Sequence, residues 1–132
     1  MPVTYEIDPV KRLIRTRCFG DVTPEEIRLH FVDLEKDPQR PERLDVLLDV
    51  REAMSLPDTQ DLRDVSHWIS EVCKSIRFGA CAVVASNDAM FGMMRMFEVL
   101  AGDYFDAVQV FKQISAAEAW LSHFEPKSKA SA

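Results

Sequence analysis

Charged and amide side chains stand directly after several apolar segments that have the pattern of strands. They are Asp21, Asp49, Arg51, Asn87, Asp88 and Lys112. In α/β sheets the ends of parallel strands meet at one edge, and ligands bind beyond that edge. Aspartates and a lysine are the residue types of a site that holds a metal ion or accepts a phosphoryl group. Most of these residues are equally well explained as helix caps and turn residues, so this site is the least favoured of the alternatives considered.

The remaining polar residues contain no recognised catalytic motif. His30, His67 and His123 fall in helical segments without a Cys or carboxylate at metal-ligand spacing, so we expect them on solvated helix faces. Nucleophile elbow, phosphate-binding loop and dinucleotide-binding patterns are absent from the sequence. The order of elements also disfavours a phospho-accepting receiver domain, in which a helix separates the first two strands. We therefore expect a protein without enzymatic activity, metal or cofactor.

The bulk properties are those of an acidic globular domain. The chain has 132 residues and a net charge of −6, which disfavours nucleic acid and anionic membranes as partners. No apolar run approaches the roughly 20 residues of a membrane helix, and the N-terminal segment lacks the pattern of a signal peptide. We expect no integral membrane association, one domain at 1–125 and a disordered tail at 126–132.

The cysteines favour a reducing compartment. Cys18, Cys73 and Cys81 are odd in number, widely spaced and form no Cys-x-x-Cys pair. This pattern is typical of buried thiols rather than of disulfides or a metal site. We therefore expect a cytoplasmic location.

Apolar periodicity predicts five strands and four helices in the order β-β-α-β-α-β-α-β-α. The first two strands are joined by a short connection and must be antiparallel, whereas helical crossovers make the last four strands parallel. The predicted fold is therefore α/β, with a mixed five-stranded sheet in which the first strand is the antiparallel exception. The predicted strands lie near 3–7, 12–19, 44–50, 80–85 and 108–111.

Helix boundaries follow from capping residues and glycines. Thr23 and Glu26 form a capping box at the first helix, and Asn87 is among the residues that can begin the third. The second helix opens at Asp58 or Thr59 and is expected to continue until Gly79 stops it. The sequence 115–118, Ser-Ala-Ala-Glu, predicts a further capping box at the last helix.

The third helix has more apolar surface than one sheet-facing stripe requires. It carries four of the six methionines, and between Ala89 and Gly102 only Arg95 and Glu98 are charged. Methionine suits irregular cores, partner surfaces and apolar pockets, because its side chain is flexible and polarisable. A tightly packed core helix, a subunit interface and a pocket for a small apolar ligand all remain open. The candidate interface or pocket residues are Met90, Phe91, Met93, Met94, Arg95 and Met96.

The order of elements and several local motifs resemble those of STAS domains, the SpoIIAA-like fold, and in particular short stand-alone bacterial STAS/SEC14-like proteins. The similarity extends over nearly the whole chain. The matching segments are Gly20-Asp21 with Thr23-Pro24-Glu25-Glu26, then Leu47-Leu48-Asp49, the run Phe91–Phe97, and Ala119-Trp120-Leu121.

The resemblance implies a candidate phospho-acceptor position. Anti-sigma factor antagonists of this family carry a phosphorylatable serine at the start of the helix after the third strand. Here Asp58 matches that motif and Thr59 replaces the serine, whereas Gln60 and Asp61 depart from it. Asp58 or Thr59 is also explained as a simple N-cap, so we expect Thr59 not to be a required phosphorylation site.

Three functions follow, in order of preference. The resemblance implies a non-enzymatic regulatory module that acts through protein contacts, including contacts with a second copy in a homodimer. The methionine-rich helix indicates, as an alternative, SEC14-like binding of a small apolar ligand or lipid. A metal- or phosphate-dependent enzyme using the strand-end aspartates is the remote third.

Overall fold

A computed structural model describes residues 2–124 of the chain. It contains five strands and four α-helices in the predicted order. The strands are β1 (Val3–Asp8), β2 (Leu13–Gly20), β3 (Arg43–Ala53), β4 (Arg77–Val84) and β5 (Ala107–Phe111). The helices are α1 (Pro24–Lys36), α2 (Thr59–Val72), α3 (Asp88–Ala101) and α4 (Ile114–His123). The predicted domain boundary near residue 125 and the predicted disordered tail at 126–132 lie outside the described residues.

The strands form one mixed sheet in the spatial order β1-β2-β3-β4-β5. β1 pairs antiparallel with β2, so that Val3 lies opposite Cys18 and Asp8 lies opposite Leu13. The pairs β2–β3, β3–β4 and β4–β5 are all parallel. The predicted α/β fold class is therefore confirmed, including the single antiparallel strand.

Three helices cover one face of the sheet and one helix covers the other. The larger core cluster joins α1, α2 and α3 to alternate residues of the strands, as consistent right-handed crossovers require. The smaller cluster joins Ala117 and Leu121 of α4 to Leu47 and the alanines of β4. β4 is buried on both faces, which explains its continuous run of small and β-branched residues.

Two predicted caps are confirmed in atomic detail. Thr23 Oγ1 accepts from the amide of Glu26 at 3.3 Å, while Glu26 Oε1 accepts from the amide of Thr23 at 3.0 Å. Asn87 Oδ1 accepts from the amide of Met90 at 2.7 Å and so begins α3. The capping box predicted at 115–118 is wrong, because α4 begins at Ile114 without a side-chain cap. Glu118 instead forms an ion pair with Arg15 on the sheet at 2.8 Å.

The predicted end of α2 is also wrong, because the helix stops at Val72 and Gly79 lies inside β4. Gly79 sits in an irregular part of the β3–β4 ladder, where Leu44 pairs with Phe78 but Val46 pairs with Cys81. Here Asp45 Oδ1 accepts from the Ala80 amide at 2.9 Å. A β-carbon at residue 79 would overlap that carboxylate and the guanidinium of Arg43. The glycine therefore makes room for side chains and does not end a helix.

Candidate functional site

A cavity of about 230 Å³ lies between the sheet and the three helices on its larger side. Its floor is made by alternate residues of two neighbouring strands, because side chains on a strand point to one face at every second position. β2 supplies Ile14, Thr16 and Cys18, and β3 supplies Val46, Leu48 and Val50. The floor is therefore apolar except for the hydroxyl of Thr16 and the thiol of Cys18.

The walls of the cavity come from all three helices. α1 supplies Ile27, His30, Phe31 and Leu34; α2 supplies Leu62, Val65 and Ile69; α3 supplies Met90, Met94 and Phe97. Phe78, Cys81 and Phe105 complete the apolar lining. The apolar sides of the three helices therefore face a space that their side chains do not fill.

Two loops at the carboxyl ends of β2 and β3 form the rim of the cavity. Val22 and Ser55 join these loops, with the Ser55 hydroxyl 3.0 Å from the Val22 amide nitrogen and 3.3 Å from the Val22 carbonyl oxygen. The Met54 amide also donates to the Gly20 carbonyl at 2.8 Å. Leu56 lines the cavity and yet is 52% exposed. The lining thus reaches the molecular surface at the edge where ligands of α/β sheets bind.

Thr16 and His30 form a polar pair in the wall of the cavity. Thr16 is only 4% exposed, and its Oγ1 lies 3.5 Å from Nε2 of His30. The His30 ring packs edge-on against the Tyr5 ring at 5.2 Å. Burial lowers the pKa of His30 to about 4, against a smaller opposing effect of Asp33. The imidazole is therefore neutral at physiological pH, and the expectation of a solvated face is wrong for His30; His67 and His123 are exposed as expected.

The two cysteines in the lining are inert thiols. Burial raises the pKa of Cys18 and that of Cys81 to about 12. A thiol with so high a pKa is neither a nucleophile nor a metal ligand at neutral pH. Within the cavity these cysteines therefore act as small apolar groups, and the prediction that Cys18 and Cys81 are buried is confirmed, whereas Cys73 is half-buried.

The strand-end polar residues do not converge on one site. Arg51 Nε and an Arg51 Nη donate to the two oxygens of Asp49 at 2.9 and 2.7 Å. Although partial burial opposes it, this pairing lowers the pKa of Asp49. Lys112 and Asp88 form a separate exposed ion pair at 2.7 Å. Asn87 is occupied as the cap of α3, and Asp21 is exposed in the turn after β2.

Within residues 2–124, no group of three or more His, Cys, Asp or Glu side chains is arranged to hold a metal ion. Asp49 and Asp88 instead form ion pairs with Arg51 and Lys112. In this part of the chain, the strand-end residues therefore form no convergent set of catalytic groups for a metal- or phosphate-dependent enzyme.

The candidate phospho-acceptor position contacts the methionine-rich helix. Asp58 caps α2, accepting from the Asp61 amide at 2.8 Å, and Asp61 accepts in return from the Asp58 amide at 3.1 Å. Thr59 is exposed, and its hydroxyl donates to the sulfur of Met96 at 3.6 Å. The structure therefore brings the first turn of α2 and the outer side of α3 together on one surface.

The six predicted residues of α3 divide between two surroundings. Met90 and Met94 are buried and line the cavity. Arg95 is exposed and pairs with Glu98, while Met96 is 39% exposed. Phe91 and Met93 are half-buried, and Phe91 lies beneath the ammonium of Lys112. The candidate residues of α3 therefore include one wall of the cavity, whereas its floor was not predicted; the signal for the floor is the alternation of apolar and polar residues in β2 and of inward and outward positions in β3.

No helix among the described residues is long and apolar enough to cross a membrane. A search of curated protein sequences finds no match. Among solved structures, the chain is similar to an uncharacterised DUF3478-family protein of SpoIIAA-like fold from Shewanella loihica PV-4. The TM-score is 0.58 and the identity 14%, over 90% of this chain and 91% of the other. This likeness shows the fold.

A family model described as SpoIIAA-like matches residues 13–122. That range begins at the first residue of β2 and ends within α4, so it spans all four parallel strands and all four helices. Together with the five-stranded mixed sheet and the structural neighbour, the match establishes that this chain belongs to the SpoIIAA-like family.

Proposed function

We propose that this protein is a non-enzymatic SpoIIAA-like module that binds a small apolar molecule in the cavity between the sheet and α1, α2 and α3. The observation that carries the proposal is the cavity itself, about 230 Å³ in volume and lined almost entirely by apolar side chains. A cavity of about 150 Å³ with such a lining is large enough to bind benzene. The available space therefore suits a compact apolar ligand.

The apolar lining supports a ligand. Protein interiors are closely packed, and apolar side chains that face unfilled space lose the contacts that neighbouring atoms would give them. The space is open at the rim, where Leu56 is 52% exposed, so a small apolar molecule can enter and restore those contacts.

The methionines provide a direct test of this proposal. In protein labelled with ¹³C at the methionine methyl groups, we expect toluene to shift the signals of Met90 and Met94 in a saturable manner. The signals of Met54 and Met96 should stay unchanged, because these side chains are 81% and 39% exposed. Absence of saturable shifts at Met90 and Met94 would overturn the proposal.

A matched pair of variants separates occupancy of the cavity from general effects of a larger side chain. Val46→Phe should fill part of the cavity and abolish the toluene-induced shifts. Val99→Phe introduces the same change at a position on α3 that is 80% exposed, and it should bind toluene as the wild type does. If Val46→Phe and Val99→Phe bound toluene with equal affinity, the toluene site would not be this cavity.

A second function, contact with another protein chain, is supported by the outer side of α3. Met96 and Val99 are exposed apolar side chains on this helix, and Met96 also contacts Thr59 of α2. Symmetric pairing of such a patch is the commonest way to cover it, so we expect a homodimer. The patch includes Met96 from the set predicted as an interface, together with the candidate phospho-acceptor position.

Light scattering at high micromolar protein concentration tests the homodimer. We expect the wild type to have twice the chain mass of 15.1 kDa, and Met96→Asp to be a folded monomer, because an unpaired carboxylate in the interface would separate the subunits. Met94→Asp is the control for a core position and should unfold, since Met94 is buried. Thr59→Val should have the same mass as the wild type, because the Thr59 hydroxyl contributes a single weak contact to Met96. A monomeric wild type would end the interface hypothesis.

A further inference from the structure

The lining of the cavity carries information about the charge of its ligand. Among the residues that line it, none is a lysine or arginine, and the one carboxylate belongs to Asp61 at the rim. His30 is neutral, because burial lowers its pKa to about 4. An anion in this space would have no opposite charge, and burying an unpaired charge is strongly unfavourable.

The N-termini of α1 and α2 at the rim do not compensate for the absence of a positively charged side chain. A free helix N-terminus attracts anions through its unpaired amides and its dipole. Here the capping boxes of α1 and α2 already place the carboxylates of Glu26 and Asp61 on their N-cap amides, at 3.0 and 3.1 Å. A ligand whose acidic group remained at the rim would therefore meet negative charge from this chain.

The polar pair inside the cavity fits a neutral oxygen. Thr16 Oγ1 and His30 Nε2 are 3.5 Å apart, the outer limit of a hydrogen bond. A hydroxyl has one donor and two acceptor sites, and a neutral imidazole has one donor and one acceptor. Because their mutual contact is so long, both groups can exchange it for shorter bonds to one ligand oxygen that reaches them both.

We propose that the cavity selects a molecule of roughly ten non-hydrogen atoms that has no acidic group and carries one hydroxyl or carbonyl oxygen, which hydrogen-bonds to Thr16 and His30. The size follows from the volume of about 230 Å³, and the selection against acids follows from the lining and the rim. This inference rests on the proposed binding function and specifies its ligand class.

Three probes of similar size test the ligand class in protein with ¹³C-labelled methionine methyl groups. They are 1-octanol, octanoate and ethylbenzene, used at about pH 7.5, where the acid is charged. We expect saturable shifts of Met90 and Met94 with 1-octanol and ethylbenzene, and at least tenfold weaker binding of octanoate. Octanoate binding as tightly as 1-octanol would overturn the ligand class and leave the binding function intact. If neither 1-octanol nor ethylbenzene shifts these signals, the binding function fails as well.

Variants of the polar pair test the hydrogen bonds separately from the shape of the cavity. Thr16→Val and His30→Phe should each weaken 1-octanol binding about threefold to tenfold, while ethylbenzene affinity stays within about twofold. Thr4→Val makes the same change as Thr16→Val at an exposed position of β1, and it should alter neither affinity. Should Thr16→Val and His30→Phe both leave 1-octanol affinity unchanged, the oxygen is not bound at this pair and the inference is wrong.

Discussion

His30 links the cavity to the pH dependence of stability. The unfolded chain protonates this histidine near pH 6.5, whereas the folded chain does so only near pH 4, where its pKa lies. The stability that neutral His30 contributes is therefore fully present above about pH 6.5 and is lost as the pH falls to about 4. The difference corresponds to about 3 kcal/mol.

We expect the urea midpoint of the wild type to fall between pH 7 and pH 4.5 more than that of His30→Gln. Carboxylates whose pKa is lowered by hydrogen bonds, such as those of Asp37 with Tyr5 and Glu52 with Arg17, also lose stabilising contacts in acid. They are the same in both proteins, so the comparison isolates the histidine. Parallel pH profiles would show that His30 accepts a proton in the folded state near its ordinary pKa.

Gly79 is expected to tolerate no side chain. In Gly79→Ala the new methyl group would overlap Asp45 and Arg43, whose guanidinium is fixed by an ion pair with Asp106 at 2.7 Å. We expect a loss of about 2–4 kcal/mol in the free energy of unfolding, measured by urea denaturation. Gly92→Ala is the control, because a β-carbon there meets no atom within 4 Å and alanine favours a helix by about 1 kcal/mol. A stable Gly79→Ala protein would mean that Arg43 and Asp45 move aside at little cost.

The residues of the cavity show how far sequence reasoning reaches at this scale. Strand alternation predicts that Ile14, Thr16 and Cys18 share a face, and helical spacing predicts that Ile27 and Phe31 point inwards. Neither pattern determines whether the two layers meet, because the gap depends on how far α1 stands from the sheet. His30 was misplaced for the same reason: its position on α1 was clear, but its packing against Tyr5 of β1 is a tertiary contact.

At the scale of elements, α4 covers the smaller side of the sheet by itself. Trp120 packs between the rings of Phe111 and Phe124, with centroid distances of 5.7 and 5.3 Å. Trp120 is half-buried. Its contact with Phe111 nevertheless joins α4 to β5.

Trp120→Ala should therefore destabilise the protein more than Trp68→Ala. We expect losses of about 2–4 kcal/mol for Trp120, against about 1 kcal/mol for Trp68, which is also half-buried but lies on the side of α2. Urea midpoints of the two variants provide the comparison. Equal losses would contradict the assigned role of Trp120 in holding α4.

Helix starts were predicted better than helix ends. Thr23 and Asp58 mark the starts of α1 and α2, because each caps its helix through hydrogen bonds to a residue three positions later. The predicted end of α2 at Gly79 was wrong because the role of that glycine is to make room in β4 for Asp45 and Arg43 of the neighbouring strand, a contact distant in sequence. The same distinction explains Glu118, whose carboxylate pairs with Arg15 across more than one hundred residues of sequence instead of capping its own helix.

For the molecule as a whole, the three cysteines report on how the core opens. Burial raises the pKa of each thiol, and Cys18 and Cys81 are buried in the larger core while Cys73 is half-buried. We expect a thiol reagent to label Cys73 readily under native conditions. Labelling of Cys18 and Cys81 should wait for global unfolding and should accelerate with urea in parallel with the loss of circular dichroism.

A Cys73→Ser variant makes this measurement simple, because only the two buried thiols remain. Rapid labelling of this variant in the absence of urea would show that the core opens locally, through the rim between β2 and α1 or elsewhere. The binding proposals would then need to include that motion.

The spatial order β1-β2-β3-β4-β5 has a consequence for how the chain acquires its structure. Every strand pairs with the strand before it in the sequence, so no pairing has to wait for a distant segment. The β1–β2 hairpin joins residues close in sequence, whereas each parallel pairing spans a helical crossover and is therefore slower to form. During synthesis, when N-terminal elements emerge first, each strand after β1 would find its partner strand already available. The cavity would be enclosed only after α3 has left the ribosome, because α3 forms one of its walls.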